Sequence, residues 1–254
     1  MTVDFSYICD VGLRALENQD AVFCCQENHV GLFAIADGMG GHTDGARASR
    51  TLTEALEKCW NKDIRPDLSS CDHFERVSRI KKAMQSANSM IKGFYGDSAI
   101  CGTTAVVLLV EDGVYSVLSC GDSRCYMLRR QLLSKRVVRI TMDDVWQNDP
   151  EKTKGLSETQ IRNHVNYGKL VKAVGTDTKL VCTVRSDSLR EDRVFLICTD
   201  GLYKYVDQVK LEKVIKKADS RKIDLKRCVD QLLQNAYESG APDNVSIVLV
   251  RVKV

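Results

Sequence analysis

The sequence predicts an α+β fold in which two antiparallel sheets pack on one another and carry helices outside. Three observations point there. Apolar runs of strand length follow one another directly, so hairpins rather than strand–helix–strand crossovers join them. Segments with helical spacing come in pairs instead of alternating with strands. Glu111, Asp112 and Gly113 separate two apolar runs by a loop short enough for a hairpin.

In chain order, strands are expected over residues 5–9, 21–26 and 30–36, then helices over about 45–60 and 74–94. Strands over 103–110 and 114–120 follow, and strands over 125–128 and 137–140 are read as continuing the same meander. A polar, mobile segment is expected over 142–179. Strands at 181–185 and 194–199, helices at 206–217 and 225–238, and a closing strand at 245–252 complete the chain.

Composition narrows the class. The 254 residues, 44% of them hydrophobic, suffice for one core, and one domain spanning 1–254 is expected. Lys and Arg number 37 against 34 acids, a net charge of +3 spread along the chain, so no basic face is offered to nucleic acid or to an anionic membrane. Eleven cysteines are an odd number, and Cys24, Cys25, Cys101, Cys120 and Cys198 sit in apolar runs without Cys-x-x-Cys spacing. Buried free thiols in a reducing cytoplasm fit better than disulfides or a zinc site. No apolar run reaches membrane-spanning length, and Met-Thr-Val-Asp lacks the basic and apolar start of a signal segment. A cytoplasmic monomer is expected.

The positions of the aspartates carry the chemistry. The run Gly31 to Ala36 leads straight into Asp37-Gly38, and Arg193 to Thr199 leads into Asp200-Gly201. The run ending at Cys120 meets Gly121-Asp122, Asp243-Asn244 stands just before the last strand, and Asp20 precedes another. One Asp-Gly pair alone is a turn signal. Five acids at the ends of strands from one core would repel one another and raise each other's pKa, a situation that a divalent cation relieves. All-oxygen ligands suit Mg²⁺ or Mn²⁺, whereas Zn²⁺ favours His and Cys.

Asn18-Gln19-Asp20, Asp37-Gly38-Met39-Gly40-Gly41-His42, Gly102-Thr103-Thr104-Ala105, Gly121-Asp122-Ser123-Arg124, Asp200-Gly201 and Asp243-Asn244 occur in this order. The ordered set resembles the metal-dependent type 2C serine/threonine protein phosphatases, particularly their bacterial branch, over essentially the whole chain. The resemblance implies a central β-sandwich flanked on both sides by pairs of antiparallel helices, with the metal centre at one end. It implies a phosphoprotein phosphatase that uses two Mn²⁺ or Mg²⁺ ions, with a third, weaker ion, and attacks phosphorus with a hydroxide bridging the pair. Asp37 would bridge the two ions, the Gly38 carbonyl would bind one, and Asp200 and Asp243 the other. Asp20 would act through water, and Asp122 matches the residue that helps bind the third ion. The expected partners are phosphorylated proteins, substrates of a serine/threonine kinase.

Arg14 is the candidate for gripping the substrate phosphate, because a guanidinium offers a planar fork of donors. Family members place this arginine one residue nearer the Asn-Gln-Asp triplet, where Ala15 stands here. His42 is the second substrate-side candidate, as a proton donor or as a hydrogen-bonding residue behind the metal ligands. His29, His73 and His164 read as surface residues. Two further departures from the family pattern are Ala46 after Gly45 and Thr141-Met142-Asp143-Asp144 in place of Thr-x-Asp-His. Residues 143–175 correspond to the variable flap; Lys152, Lys154, Arg162, Lys169 and Lys172 make it basic, which reads first as a solvated face.

Alternatives from other classes are a pseudophosphatase that binds phosphoproteins without turnover, a hydrolase of small phosphate esters, and a structural Ca²⁺-binding protein. The first typically lacks metal ligands, and all five acids are present here. The last lacks an EF-hand loop. No Ser-His-Asp order supports a serine hydrolase.

Overall fold

The computed structural model describes residues 1–13, 17–40, 42–95, 101–131 and 134–254, except for the side chains of His42, Thr43, Tyr95 and Gln131. The strands are β1 (Thr2–Asp10), β2 (Asp20–Glu27), β3 (Val30–Met39), β4 (Gly102–Thr103), β5 (Ala105–Glu111), β6 (Gly113–Cys120), β7 (Arg124–Gln131), β8 (Ser134–Arg139), β9 (Thr183–Leu189), β10 (Arg193–Cys198) and β11 (Val245–Lys253). The helices are α1 (His42–Cys59), α2 (His73–Tyr95), α3 (Pro150–Thr153), α4 (Glu158–Arg162), α5 (Asp200–Tyr203), α6 (Gln208–Ala218) and α7 (Leu225–Glu238).

Two antiparallel sheets form, with strand orders β1-β11-β10-β7-β8 and β2-β3-β5-β6-β9, and β4 pairs with the end of β3. Alternation along the strands sorts the side chains into three apolar layers. On β5, Val106, Leu108 and Val110 point between the sheets with Phe33, Phe195 and Val248. Val107 and Leu109 point the other way, onto α1 and α2. Those helices answer with Leu52 and Leu56, and with Ile80, Met84 and Ile91, at three- and four-residue spacing. Across the sandwich, Leu211 and Ile215 of α6 and Cys228, Val229 and Leu232 of α7 cover Leu196 and Leu249. The order is therefore helices, sheet, sheet, helices, as expected.

β11 is buried along all nine residues, yet it carries Arg251 and Lys253. Arg251 donates to the carbonyls of Ala218, Ser220 and Ile223 just beyond α6, and Lys253 Nζ lies 2.9 Å from Asp219 Oδ1. These buried charges are tolerated because each has partners.

Three expectations need correction. β7 and β8 do not continue the β5–β6 meander: the chain turns at Gly121–Ser123 and crosses to the other sheet, where β7 pairs with β10. The expected strand over 103–110 breaks at Thr104, whose side chain and N–H are given to Asp37. Segment 142–179, read as mobile, folds back with α3 and α4 and is pinned by bridges from Val145 to Leu170 and from Thr103 to Val174. All eleven cysteines are free, Cys101, Cys120 and Cys198 buried, Cys24 and Cys25 half-buried. No helix among the described residues is long and apolar enough to cross a membrane.

Candidate active site

The register of the strands brings five carboxylates to one end of the sandwich. Asp20 opens β2 and is the cross-strand partner of Asp37 near the end of β3. Asp122 lies in the crossing turn after β6, Asp200 begins α5 directly after β10, and Asp243 comes two residues before β11, which pairs with β10.

Like charges facing each other across paired strands are unfavourable, and the ionisation of the group reflects it. Burial, then the fields of Asp20, Asp200, Asp122 and Asp243, pushes the Asp37 carboxyl well above its ordinary range. Burial, then the charges of Asp200 and Asp243, push Asp20 up to about 7, against the hydrogen bond from Thr199. Asp122 is pushed up to about 6 by burial and Asp200, with Lys204 opposing. The five acids thus share one electrostatic neighbourhood. Among the described residues no three metal-ligating groups close around one point. A carboxylate swings by rotation about χ1 while its strand stays fixed, and the strand register keeps Asp20 opposite Asp37.

The Gly-Thr-Thr motif holds the centre of this cluster. Asp37 N–H donates to Thr104 Oγ1 at 3.0 Å, and the Asp37 carbonyl accepts from Thr104 N–H at 2.8 Å and from Thr103 Oγ1 at 3.0 Å. Thr104 Oγ1 also lies 2.7 Å from Ser123 Oγ, so one hydroxyl ties the Asp37 strand to the Asp122 turn. Gly38 passes so close to α1 that a Cβ would stand 2.0 Å from Gly45 O. Gly121 has φ +99°, and its Cβ would meet Thr104 at 2.7 Å.

Asp20 is held from the other sheet. Thr199 Oγ1 donates to Asp20 Oδ2 at 2.9 Å and accepts from Ser246 N–H at 3.0 Å. Asn244 ties Val11, Glu17 and Gln19 to the site: its Oδ1 accepts from Gln19 N–H, and its Nδ2 donates to the carbonyls of Val11 and Glu17. Arg124 makes a fork onto Asp143, 3.1 and 2.7 Å, and stacks over the Tyr203 ring at 3.5 Å. Asp144, the other acid of the altered motif, accepts from Gly121 N–H and from Lys172 Nζ. Lys172 therefore has a structural partner. Lys204 Nζ lies 2.6 Å from Asp200 Oδ2 and 3.9 Å from Asp122 Oδ2.

Arg14 lies outside the described residues, as does the His42 side chain, whose backbone begins α1. The sequence reading missed Thr199 and Lys204. Each stands beside an aspartate that it singled out, Thr199 adjacent to Asp200 and Lys204 four residues on, at the spacing of one helical turn. His73, read as a surface residue, is buried: Nε2 lies 2.6 Å from Ser116 Oγ, and Nδ1 lies 3.0 Å from Glu111 Oε1. The serine–histidine–glutamate order imitates a hydrolytic triad, but Ser116 is fully buried and Arg76 shares Glu111. It ties α2 to the sheet and has no room for a substrate.

Comparison with known proteins agrees with this geometry. A serine/threonine phosphatase of Listeria monocytogenes is 26% identical over 238 residues, 92% of this chain and 89% of that protein. The structure of the Streptococcus agalactiae serine/threonine phosphatase superposes with a TM-score of 0.83 at 22% identity, over 99% of this chain and all of that one. The catalytic domain of the phosphatase PstP, solved with two manganese ions, superposes with a TM-score of 0.74 at 24% identity, over 99% of both chains. The family model described as protein phosphatase 2C matches residues 14–246, and the chain belongs to that family.

Proposed function

We propose that this chain, acting as one domain over residues 1–254 with 143–175 as its flap, removes phosphate from phosphoserine and phosphothreonine in proteins at a centre of two divalent cations. The observation that carries the reading is the mutual field of Asp20, Asp37, Asp122, Asp200 and Asp243. Partly buried carboxylates held together at a cost in ionisation fit a divalent cation, and an all-oxygen set fits Mn²⁺ or Mg²⁺. Asp37, the Gly38 carbonyl, Asp200 and Asp243 would hold the pair, with Asp20 behind them through water. Bound there, the ions would acidify water to a nucleophile at neutral pH and offset the charge of the phosphoryl group.

The chain's own residues do the rest. Thr103 and Thr104 fix the backbone of Asp37, and Thr199 orients the Asp20 carboxyl. Asn244 ties Val11 and Glu17 to the site, and Arg14 belongs to this reading as the residue that would grip the substrate phosphate. A phosphate dianion meets five carboxylates here, so binding without cations is strongly opposed. Acidic ligands brought together favour turnover over the phosphoprotein-binding alternative. A kinase acting on the same proteins, a cytoplasmic setting and a monomeric state belong to this reading.

Phosphate release from phosphothreonine and phosphoserine peptides in Mn²⁺, Mg²⁺ or chelator tests it. Release is expected only with metal and is expected to fall on the order of 10²-fold or more for Asp37→Asn or Asp200→Asn. Full turnover in chelator contradicts the mechanism.

A further inference from the structure

The edge of the acidic cluster between Asp122 and Asp200 is not open to a cation on the same terms as the rest. Lys204, one helical turn after Asp200, sends its ammonium 2.6 Å from Asp200 Oδ2 and 3.9 Å from Asp122 Oδ2. A divalent ion shared by Asp122 and Asp200 would draw on these two carboxylates and lie close to that ammonium. Such an ion would be repelled by the ammonium that already neutralises part of this edge. Asp200 is half-buried and Asp122 buried, so screening by water is limited. On the inner side, Thr199 donates to the Asp20 carboxylate, while Thr103 and Thr104 hold the main chain of Asp37.

We propose that Lys204 is a tethered cation that neutralises the Asp122–Asp200 edge and limits the centre to two divalent ions. This rests on the metal-dependent reading above and departs from the third, weaker ion that the sequence resemblance implied. Lysine suits the role because its ammonium is a compact point charge on a flexible stem, about half exposed here and able to reach both acids from α5.

The test counts Mn²⁺ ions on the purified full chain by electron paramagnetic resonance titration and equilibrium dialysis, independent of activity. The wild type is expected to bind two ions, and Lys204→Met, which keeps the stem and removes the charge, one more. Lys204→Arg, which keeps a cation, is expected to bind two. Thermal unfolding against Mn²⁺ concentration gives a second readout: Lys204→Met should show an additional stabilisation phase that wild type and Lys204→Arg lack. Equal stoichiometry in wild type and Lys204→Met overturns the proposal while leaving the metal-dependent reading intact. A wild type that binds no Mn²⁺ overturns both.

Discussion

Replacing Thr199 with valine removes a hydroxyl and almost no volume, which isolates one link between the two sheets. In the native protein, Thr199 Oγ1 donates to Asp20 at 2.9 Å and accepts from the buried Ser246 N–H at 3.0 Å. Valine does neither. The Ser246 N–H is left buried without that acceptor, at about 1–3 kcal/mol, and the lost bond to Asp20 adds about 1 kcal/mol. A total of roughly 2–4 kcal/mol corresponds to a fall in Tm on the order of 4–16 °C for a chain of this size. Asp20 also loses the group that sets its direction. Partners behind metal ligands are worth about 10–100-fold in metal affinity, so the Mn²⁺ concentration for half-maximal phosphate release should rise by that factor, with a smaller change at saturating metal. Thr199→Ser restores both bonds and should recover both properties. Urea unfolding in chelator measures the first effect, and a Mn²⁺ activation curve the second. A valine variant that loses stability but keeps its Mn²⁺ curve would refute the placement of Asp20 at the metal centre.

Other consequences are equally specific. Mn²⁺ should raise the Tm of the wild type and leave that of Asp37→Asn nearly unchanged, because stabilisation by a ligand follows its affinity for the folded state; calorimetry with and without chelator reads this. Gly38→Ala should abolish activity and destabilise the protein severely, since the added Cβ would stand 2.0 Å from Gly45 O; a soluble variant with wild-type unfolding would contradict the packing of α1 on β3. Asp219 provides a pH test away from the site. Burial would raise its carboxyl, but Lys135, Lys253 and Arg130 outweigh it and hold the group well below the usual carboxylate range. A depressed carboxylate contributes stability that is present above about pH 4 and is lost as pH falls through the folded-state value. Asp219→Asn should therefore cost about 1–3 kcal/mol at pH 7, Lys253 keeping Asp192 as its remaining carboxylate, and the difference from wild type should shrink in acid; a difference independent of pH would refute it.

The fold and the acids were legible because both rest on local grammar. Continuous apolar runs on β3, β5 and β10 marked strands, and a short polar tripeptide marked the β5–β6 hairpin. Asp-Gly at strand ends marked where side chains leave the core. What could not be read was set by contacts between distant segments. The change of sheet after β6 depends on Gly121 adopting φ +99° against Thr104, which the pattern of β7 does not reveal. His73 sits at the start of a helix among polar residues, a position that usually faces water, and only the pairing of Ser116 and Glu111 beneath it explains its burial. Thr104 reads as one more strand residue until Asp37 is seen to need a donor and an acceptor at that place. Lys172, counted with the basic flap, turns inward to Asp144. Lys204 follows the same logic: nothing in its sequence setting singles it out, yet it faces Asp200 and Asp122 in the fold.

Anomalous diffraction from crystals grown with Mn²⁺ would locate the cations directly. Peaks enclosed by Asp37, Asp200 and Asp243, with Asp20 behind them, are the predicted result. Manganese bound elsewhere, with those three carboxylates turned away from any peak, would contradict the account.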